Sequence, residues 1–240
     1  MSKRFTRLCL IFAVLSTALT GCAKYPSTLP AVGKQLVVTI QVRDRISPSD
    51  TYDPSIRRHY FIAIDSDNNL NTGPWAVAYP PFGGNGWVTS QGAQQSKGVT
   101  SFLQYDDSNP GGYVYRVVPD SYLLLYDNPR PPLLQELLDG GSTIRFTIDL
   151  SQLATTSIAA ADIAQLDVNL ITTNELAVNP NDLYPGRQWD GLGPTGQDYV
   201  SVDTTTDRTY SGTDDDATTP SDGCLDITYW SIQVQTVSSR

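Results

Sequence analysis

From Leu36 to Arg43 the chain alternates with a period of two. Leu36, Val38, Ile40 and Val42 share one face, while Thr39, Gln41 and Arg43 lie on the other. Successive side chains of a β-strand point to opposite faces, so this alternation predicts a strand with one buried side. The signature recurs at Ile144–Leu150, where Ile144, Phe146, Ile148 and Leu150 alternate with Arg145, Thr147 and Asp149, and again at Leu166–Leu170. Tyr60-Phe61-Ile62-Ala63-Ile64 is apolar on both faces, as a strand in the middle of its sheet would be. Near the end, Leu225, Ile227 and Tyr229 share a face, and then Trp230, Ile232 and Val234 take it over. A slip by one residue predicts a β-bulge.

Strands are also expected over 99–105 and 112–118, separated by the turn Asp106-Asp107-Ser108-Asn109-Pro110-Gly111. Helix is scarce: Leu133–Leu138 is expected to make a turn or two, ended by Gly140-Gly141, and Ala159–Ala164 one more. The long amphipathic helices that a parallel α/β sheet requires are missing. The pattern predicts an all-β, antiparallel β-sandwich, Ig-like or jelly-roll-like, over 34–240. Two long loops interrupt it, 65–98 and 174–223, neither with an evident strand of its own. Loops of that length tend to carry function.

Composition narrows the function classes. The net charge is −9, and it becomes more negative if Lys3, Arg4 and Arg7 are removed with an N-terminal signal. Nucleic acid selects for basic surfaces, so it is not an expected partner. If Cys9 leaves with that signal and Cys22 is modified where it is cut, one histidine, His59, and one cysteine, Cys224, remain, and they cannot build a zinc site of the usual ligand set. No Gly-x-Ser-x-Gly, His-Glu-x-x-His, phosphate loop or dinucleotide fingerprint occurs, and no catalytic residue is expected. With 25 acidic residues, some pair will meet the carboxylate spacing of a glycosidase by chance, so that criterion has no force.

The first residues have a separate logic. Lys3, Arg4 and Arg7 precede the apolar stretch Leu8–Leu19, which is too short for a spanning helix of about 20 residues. Leu19-Thr20-Gly21-Cys22 follows. This resembles the lipobox of bacterial lipoprotein precursors. The resemblance implies that residues 1–21 are a signal peptide, that Cys22 receives a diacylglyceryl thioether and further acyl chains such as palmitate, and that 22–33 is a tether. Each buried CH₂ of acyl chain contributes about 0.8 kcal/mol, so the lipid would hold the chain at a membrane of the cell envelope. Ala23 rather than aspartate follows the cysteine, which in enteric bacteria implies the outer membrane.

The most specific interior stretch is Tyr60–Pro74, where an apolar strand runs into Asp65-Ser66-Asp67-Asn68-Asn69 and then Thr72-Gly73. It resembles a strand and loop of β-sandwiches in the DOMON and family 9 carbohydrate-binding-module group. That resemblance implies a module binding sugar or another partner, with a structural calcium near the loop. Asp65, Asp67 and Asn69 alternate so that their oxygens could converge on a calcium ion. The alternative is a polar turn in which Asp65 and Asp67 accept backbone N–H bonds, and short acidic turns of that kind are common. Trp75, Tyr79, Trp87 and Trp189 lie in Gly- and Pro-bearing loops. They are candidates for stacking on sugar faces, or else covers for the ends of the sandwich. Asp214-Asp215-Asp216, with Asp222 nearby, is expected to be a solvated loop tip. The sequence therefore leads to a lipid-anchored envelope protein whose β-sandwich binds carbohydrate or a neighbouring envelope protein. A purely structural lipoprotein and a carboxylate-dependent glycan hydrolase are the alternatives.

Overall fold

The computed structural model describes residues 33–50, 52–53, 55–69, 73–76, 98–117, 126–176, 185–196, 198–214 and 220–238. The alternating segment Gly33–Val42 forms β1. It lies at the centre of a five-stranded antiparallel sheet with β6 (Leu134–Leu138), β7 (Thr143–Asp149), β11 (Arg208–Thr213) and β12 (Ile227–Val237), in the order β11-β12-β1-β7-β6. The second sheet holds β2 (His59–Asp65), β3 (Ser101–Asp106), β4 (Asn109–Val117), β5 (Tyr126–Arg130), β8 (Gln165–Thr173), β9 (Trp189–Gly191) and β10 (Val200–Asp203). Its order is β10-β8-β2-β3-β4-β5, with β9 also paired to β8. Among the described residues every strand pairing is antiparallel. The protein is an all-β sandwich.

Register explains the core. Leu36 stands between Val234 and Ile148, and Val38 between Ile232 and Phe146. All six are fully buried. They meet Tyr60, Ile62, Ile64, Leu103, Val168 and Leu170 from the opposing sheet. Each such aliphatic side chain contributes about 1.5–3 kcal/mol by leaving water, and a one-residue slip would expose the whole row. The bulge read from the C-terminal pattern is present. Gln41 pairs with Tyr229 and Val42 with Ile227, which leaves Thr228 as the extra residue.

Three expectations are corrected. Leu134–Leu138 is not helical but an edge strand, with Leu134 opposite Thr147 and Leu138 opposite Thr143. Its leucines recur at a helix-like spacing, yet pairing with β7 satisfies the backbone, and Leu134 and Leu137 remain about half exposed. The stretch 174–223 is not strandless, since it carries β9, β10 and β11. β10 and β11 are edge strands with largely exposed polar positions, so no hydrophobic alternation marks β11 and β10 shows only a trace, while β9, with Asp190 and Gly191 buried, is too short at three residues to show any period. The turn after β3 is tighter than the sequence suggests: Asp106 pairs directly with Asn109, leaving Asp107-Ser108 as the loop. The expected turn near Ala159–Ala164 is a single 3₁₀ turn at Ala160–Asp162.

One end of the sandwich is closed by a buried ion cluster. The Arg58 side chain is 6% exposed and binds Asp222 at 2.6 Å and Asp50 at 3.0 Å. Tyr60 Oη donates to the Cys224 carbonyl at 3.0 Å. The segment before β2 is thereby tied to the approach to β12. Burial pushes the half-buried Cys224 thiol up, away from thiolate reactivity.

Candidate functional site

Because β2 is apolar on both sides, the outer face of the seven-stranded sheet has to be covered as well. Phe61, Ala63, Phe102, Tyr115, Ile171 and Ala76 form a second buried cluster there, with Trp189 and Leu176 packed against it. The Phe102 and Tyr115 rings stack at 5.1 Å between centroids, and Phe61 meets Phe102 edge-on at 6.2 Å. The cover comes from both long loops, through Ala76 of the first and Leu176 and Trp189 of the second.

Their meeting point is Asn169. On the free edge of β8, β9 pairs with Ile171–Thr173 and β10 with Leu166–Val168 and Gln165. Leu192 and Gly196, which lie between β9 and β10, close on the gap. Asn169, opposite Ala63 on β2 and fully buried, fills that gap. Its Nδ2 donates to the carbonyls of Pro74 at 3.0 Å and Gly196 at 3.2 Å. Its Oδ1 accepts the Leu192 N–H at 3.1 Å. A buried amide is stable only when bonded in this way. Two close approaches lock the junction. The Tyr199 ring lies where a Cβ at position 73 would sit, and Trp189 lies where one at position 196 would sit. Gly196 also has φ of +65°, a conformation glycine adopts without strain.

The acidic turn borders this junction. Asp65 and Asp167 are direct cross-strand partners and are 2% and 4% exposed. Asp65 Oδ1 accepts the Asp67 N–H at 3.1 Å, and Asp67 Oδ1 accepts the Asn69 N–H at 2.7 Å. These are the bonds of the polar-turn reading, with Asp67 and Asn69 exposed and Asp65 inside. Asp167 Oδ1 accepts from Ser201 Oγ at 2.6 Å and from Gln165 Nε2 at 3.1 Å. Burial, and after it the charges of Asp167 and Asp65, raise the Tyr199 phenol above its ordinary value. Among the described residues no group of three or more His, Cys, Asp or Glu side chains is gathered as a metal site.

At the other end of the same face, His59 Nδ1 and Asp106 Oδ2 lie 2.8 Å apart. Asp106 also accepts from Gln104 Nε2 at 2.5 Å and from Asn109 Nδ2 at 2.8 Å. Burial would raise this carboxyl, but the bonds from His59, Gln104 and Asn109 outweigh it and hold it at about 2.

Among the aromatic candidates, Trp75 is 41% exposed. Trp189 is half-buried and serves largely as cover for the sheet. Tyr79, Trp87 and Cys22 lie outside the described residues, as do Asp215 and Asp216. Asp214 accepts the Gly193 N–H at 3.1 Å, and Asp222 belongs to the Arg58 cluster, so the two are parts of different local networks. Sequence reasoning missed Asn169 and Asp167, which read as the outward half of an alternating strand. The available signal was Phe61 and Ala63: an outer face that is apolar on β2 implies that its polar neighbours on β8 are buried too.

Comparison of the chain with protein-family models, with curated proteins and with solved structures finds no match.

Proposed function

We propose that the chain is a lipid-anchored lipoprotein of the cell envelope whose β-sandwich is a carbohydrate-binding module, with the ligand taken up where the two long loops meet. The observation that carries this reading is the convergence over Asn169. One buried amide joins the Trp75 loop to the Trp189 loop, on the sheet face that also carries Asp65. A sandwich that only needed to shield its second face could do so with apolar side chains alone. Here an indole is left substantially exposed beside polar, buried, hydrogen-bonded groups, which is the usual make-up of a ligand site. An exposed ring offers a flat apolar surface to the C–H face of a sugar.

Calcium fits the same reading. Two buried aspartates directly opposed across strands repel each other, and a divalent ion held by Asp65 with Asp67 and Asn69 would relieve that repulsion. The anchoring part rests on Leu19-Thr20-Gly21-Cys22 and the charged and apolar run before it. The membrane is then reached through lipid on Cys22, outside the cytoplasm, and in a Gram-negative cell at the outer membrane. A neighbouring envelope protein is the alternative ligand, and the acidic charge disfavours nucleic acid.

A glycan array probed with the full chain in detergent tests the proposal. Binding to at least one glycan, weakened at least about tenfold in Trp75→Ala, is expected. Binding that is indifferent to Trp75→Ala refutes this face as the site. Binding to no glycan at all favours a structural lipoprotein.

A further inference from the structure

A glycine that follows an aspartate leaves the main-chain nitrogen between them unshielded, because no Cβ stands beside it. That nitrogen can reach the aspartate carboxyl carbon and close a five-membered ring, unless the fold holds one or the other. The sequence contains the pair three times, at Asp139-Gly140, Asp190-Gly191 and Asp222-Gly223.

Two of the three are held. Asp190 is 1% exposed. Its Oδ1 accepts the Gly191 N–H at 2.8 Å, which occupies the attacking nitrogen, and its Oδ2 accepts the Ile227 N–H at 2.7 Å. Asp222 binds Arg58 Nε at 2.6 Å and accepts the Cys224 N–H at 3.0 Å. The Asp44 carboxylate lies where a Cβ at position 223 would sit.

Asp139 is built differently. It stands exposed at the apex of the loop joining β6 to β7. Among the described residues its carboxylate takes part in no hydrogen bond or ion pair. Asp139 and Gly140 have φ of +52° and +69°, the backbone of a tight hairpin turn for which Asp-Gly is a favoured pair. A Cβ at position 140 would meet nothing within 4 Å. Beyond the apex the loop is tied down: the Gly141 carbonyl accepts the Ile46 N–H at 2.8 Å and the Ser142 carbonyl accepts the Val42 N–H at 2.9 Å. The loose part is therefore the reacting pair itself, at the end of an edge strand, where local opening costs least.

We propose that Asp139-Gly140 is a site of spontaneous covalent modification, at which the folded chain converts aspartate to isoaspartate. The Gly140 nitrogen lone pair attacks Asp139 Cγ. A C–N bond forms, a C–O bond breaks, and the carboxyl oxygen leaves as water with the N–H proton. Water then adds to either carbonyl of the succinimide and breaks one C–N bond. One cleavage restores aspartate; the other routes the main chain through Cγ and leaves the α-carboxyl as the side group. The water lost is regained, and no oxidant or reductant takes part. The main chain gains a methylene at the apex, and Leu138, opposite Thr143 in the last bonded row, is the strand residue that adjusts.

The test is prolonged incubation of the full chain in detergent at mildly acidic pH, beside a synthetic peptide of residues 134–145 that gives the unconstrained rate. Endoproteinase Asp-N cuts before aspartate and not before isoaspartate, so peptide mapping counts conversion at each site. Deamidation at Asn85-Gly86, which lies outside the described residues, changes mass and is counted apart. Asp139 is expected to convert within about tenfold of the peptide's rate, and Asp190 and Asp222 at least about tenfold more slowly than Asp139. Asp139→Asn should form the same ring by losing ammonia, and faster. Asp139→Glu, whose longer side chain cannot close a five-membered ring, should give no conversion at that position. A folded chain that gains no isoaspartate at 139 while the peptide converts overturns the proposal, as does conversion spread evenly over the three sites.

Discussion

Replacing Asn169 by leucine removes a polar knot without opening a cavity, because the two side chains have similar volumes. Three hydrogen bonds disappear, to the carbonyls of Pro74 and Gly196 and from the N–H of Leu192. All three partner residues are buried, so water does not readily replace the lost amide. A buried group left without its partner costs about 1–3 kcal/mol. Partial loop relaxation brings the expected total to about 3 kcal/mol, and the midpoint of thermal unfolding falls by about 6–12 °C. Asn174→Leu is the internal control. Asn174 also bonds two backbone groups, Gly186 O at 3.3 Å and Gln188 N at 2.8 Å. Those residues reach solvent, so its loss costs less than about 1 kcal/mol. Urea unfolding followed by circular dichroism gives both values. The Trp75-dependent glycan binding should weaken in Asn169→Leu, since the Trp75 loop loses its attachment. A destabilisation below about 1 kcal/mol, or one no larger than that of Asn174→Leu, would show that the loops are not held through this side chain.

Acid stability tests the His59–Asp106 pair. The Asp106 carboxyl sits at about 2 against an ordinary 3.8, so the native protein binds fewer protons than the unfolded chain in that interval. Its contribution is full above about pH 4 and is lost as the pH falls towards 2. Unfolding free energies measured across this window should fall more steeply for the wild type than for Asp106→Asn, and equal slopes refute the assignment. For calcium, excess EGTA should lower the unfolding temperature of the calcium-saturated protein. At a hundredfold excess of ion over its dissociation constant the linkage is about 2.7 kcal/mol, or about 5–10 °C. The shift should be absent in Asp65→Asn, and no shift in the wild type rules the ion out.

The sandwich was legible because its inner rows are set by strict alternation. Leu36, Val38 and Ile40, and Ile144, Phe146 and Ile148, have no other way to bury one face. The C-terminal bulge was legible for the same reason, as a change of phase in that alternation. What escaped was edge structure. β11 pairs with β12 along all six of its residues, Arg208–Thr213, and its largely exposed, polar side chains leave no periodic trace. Leu134–Leu138 misled because an exposed edge strand can hold leucines at any spacing. Around the candidate site, the polar turn from Asp65 to Asn69 was legible from its residue types, and its bonds are those of an Asx turn. Asn169 was not, because its burial depends on loops distant in sequence. The pairing of Asp65 with Asp167 depends on register across β2 and β8, which a single strand does not reveal.

Metabolic labelling with radioactive palmitate, followed by separation of envelope from soluble fractions, tests the proposed identity most directly. The wild-type chain should carry label and sediment with membranes. Cys22→Ser should carry none and leave the membrane fraction. A labelled Cys22→Ser chain, or one that remains membrane-bound and normally processed, contradicts the account.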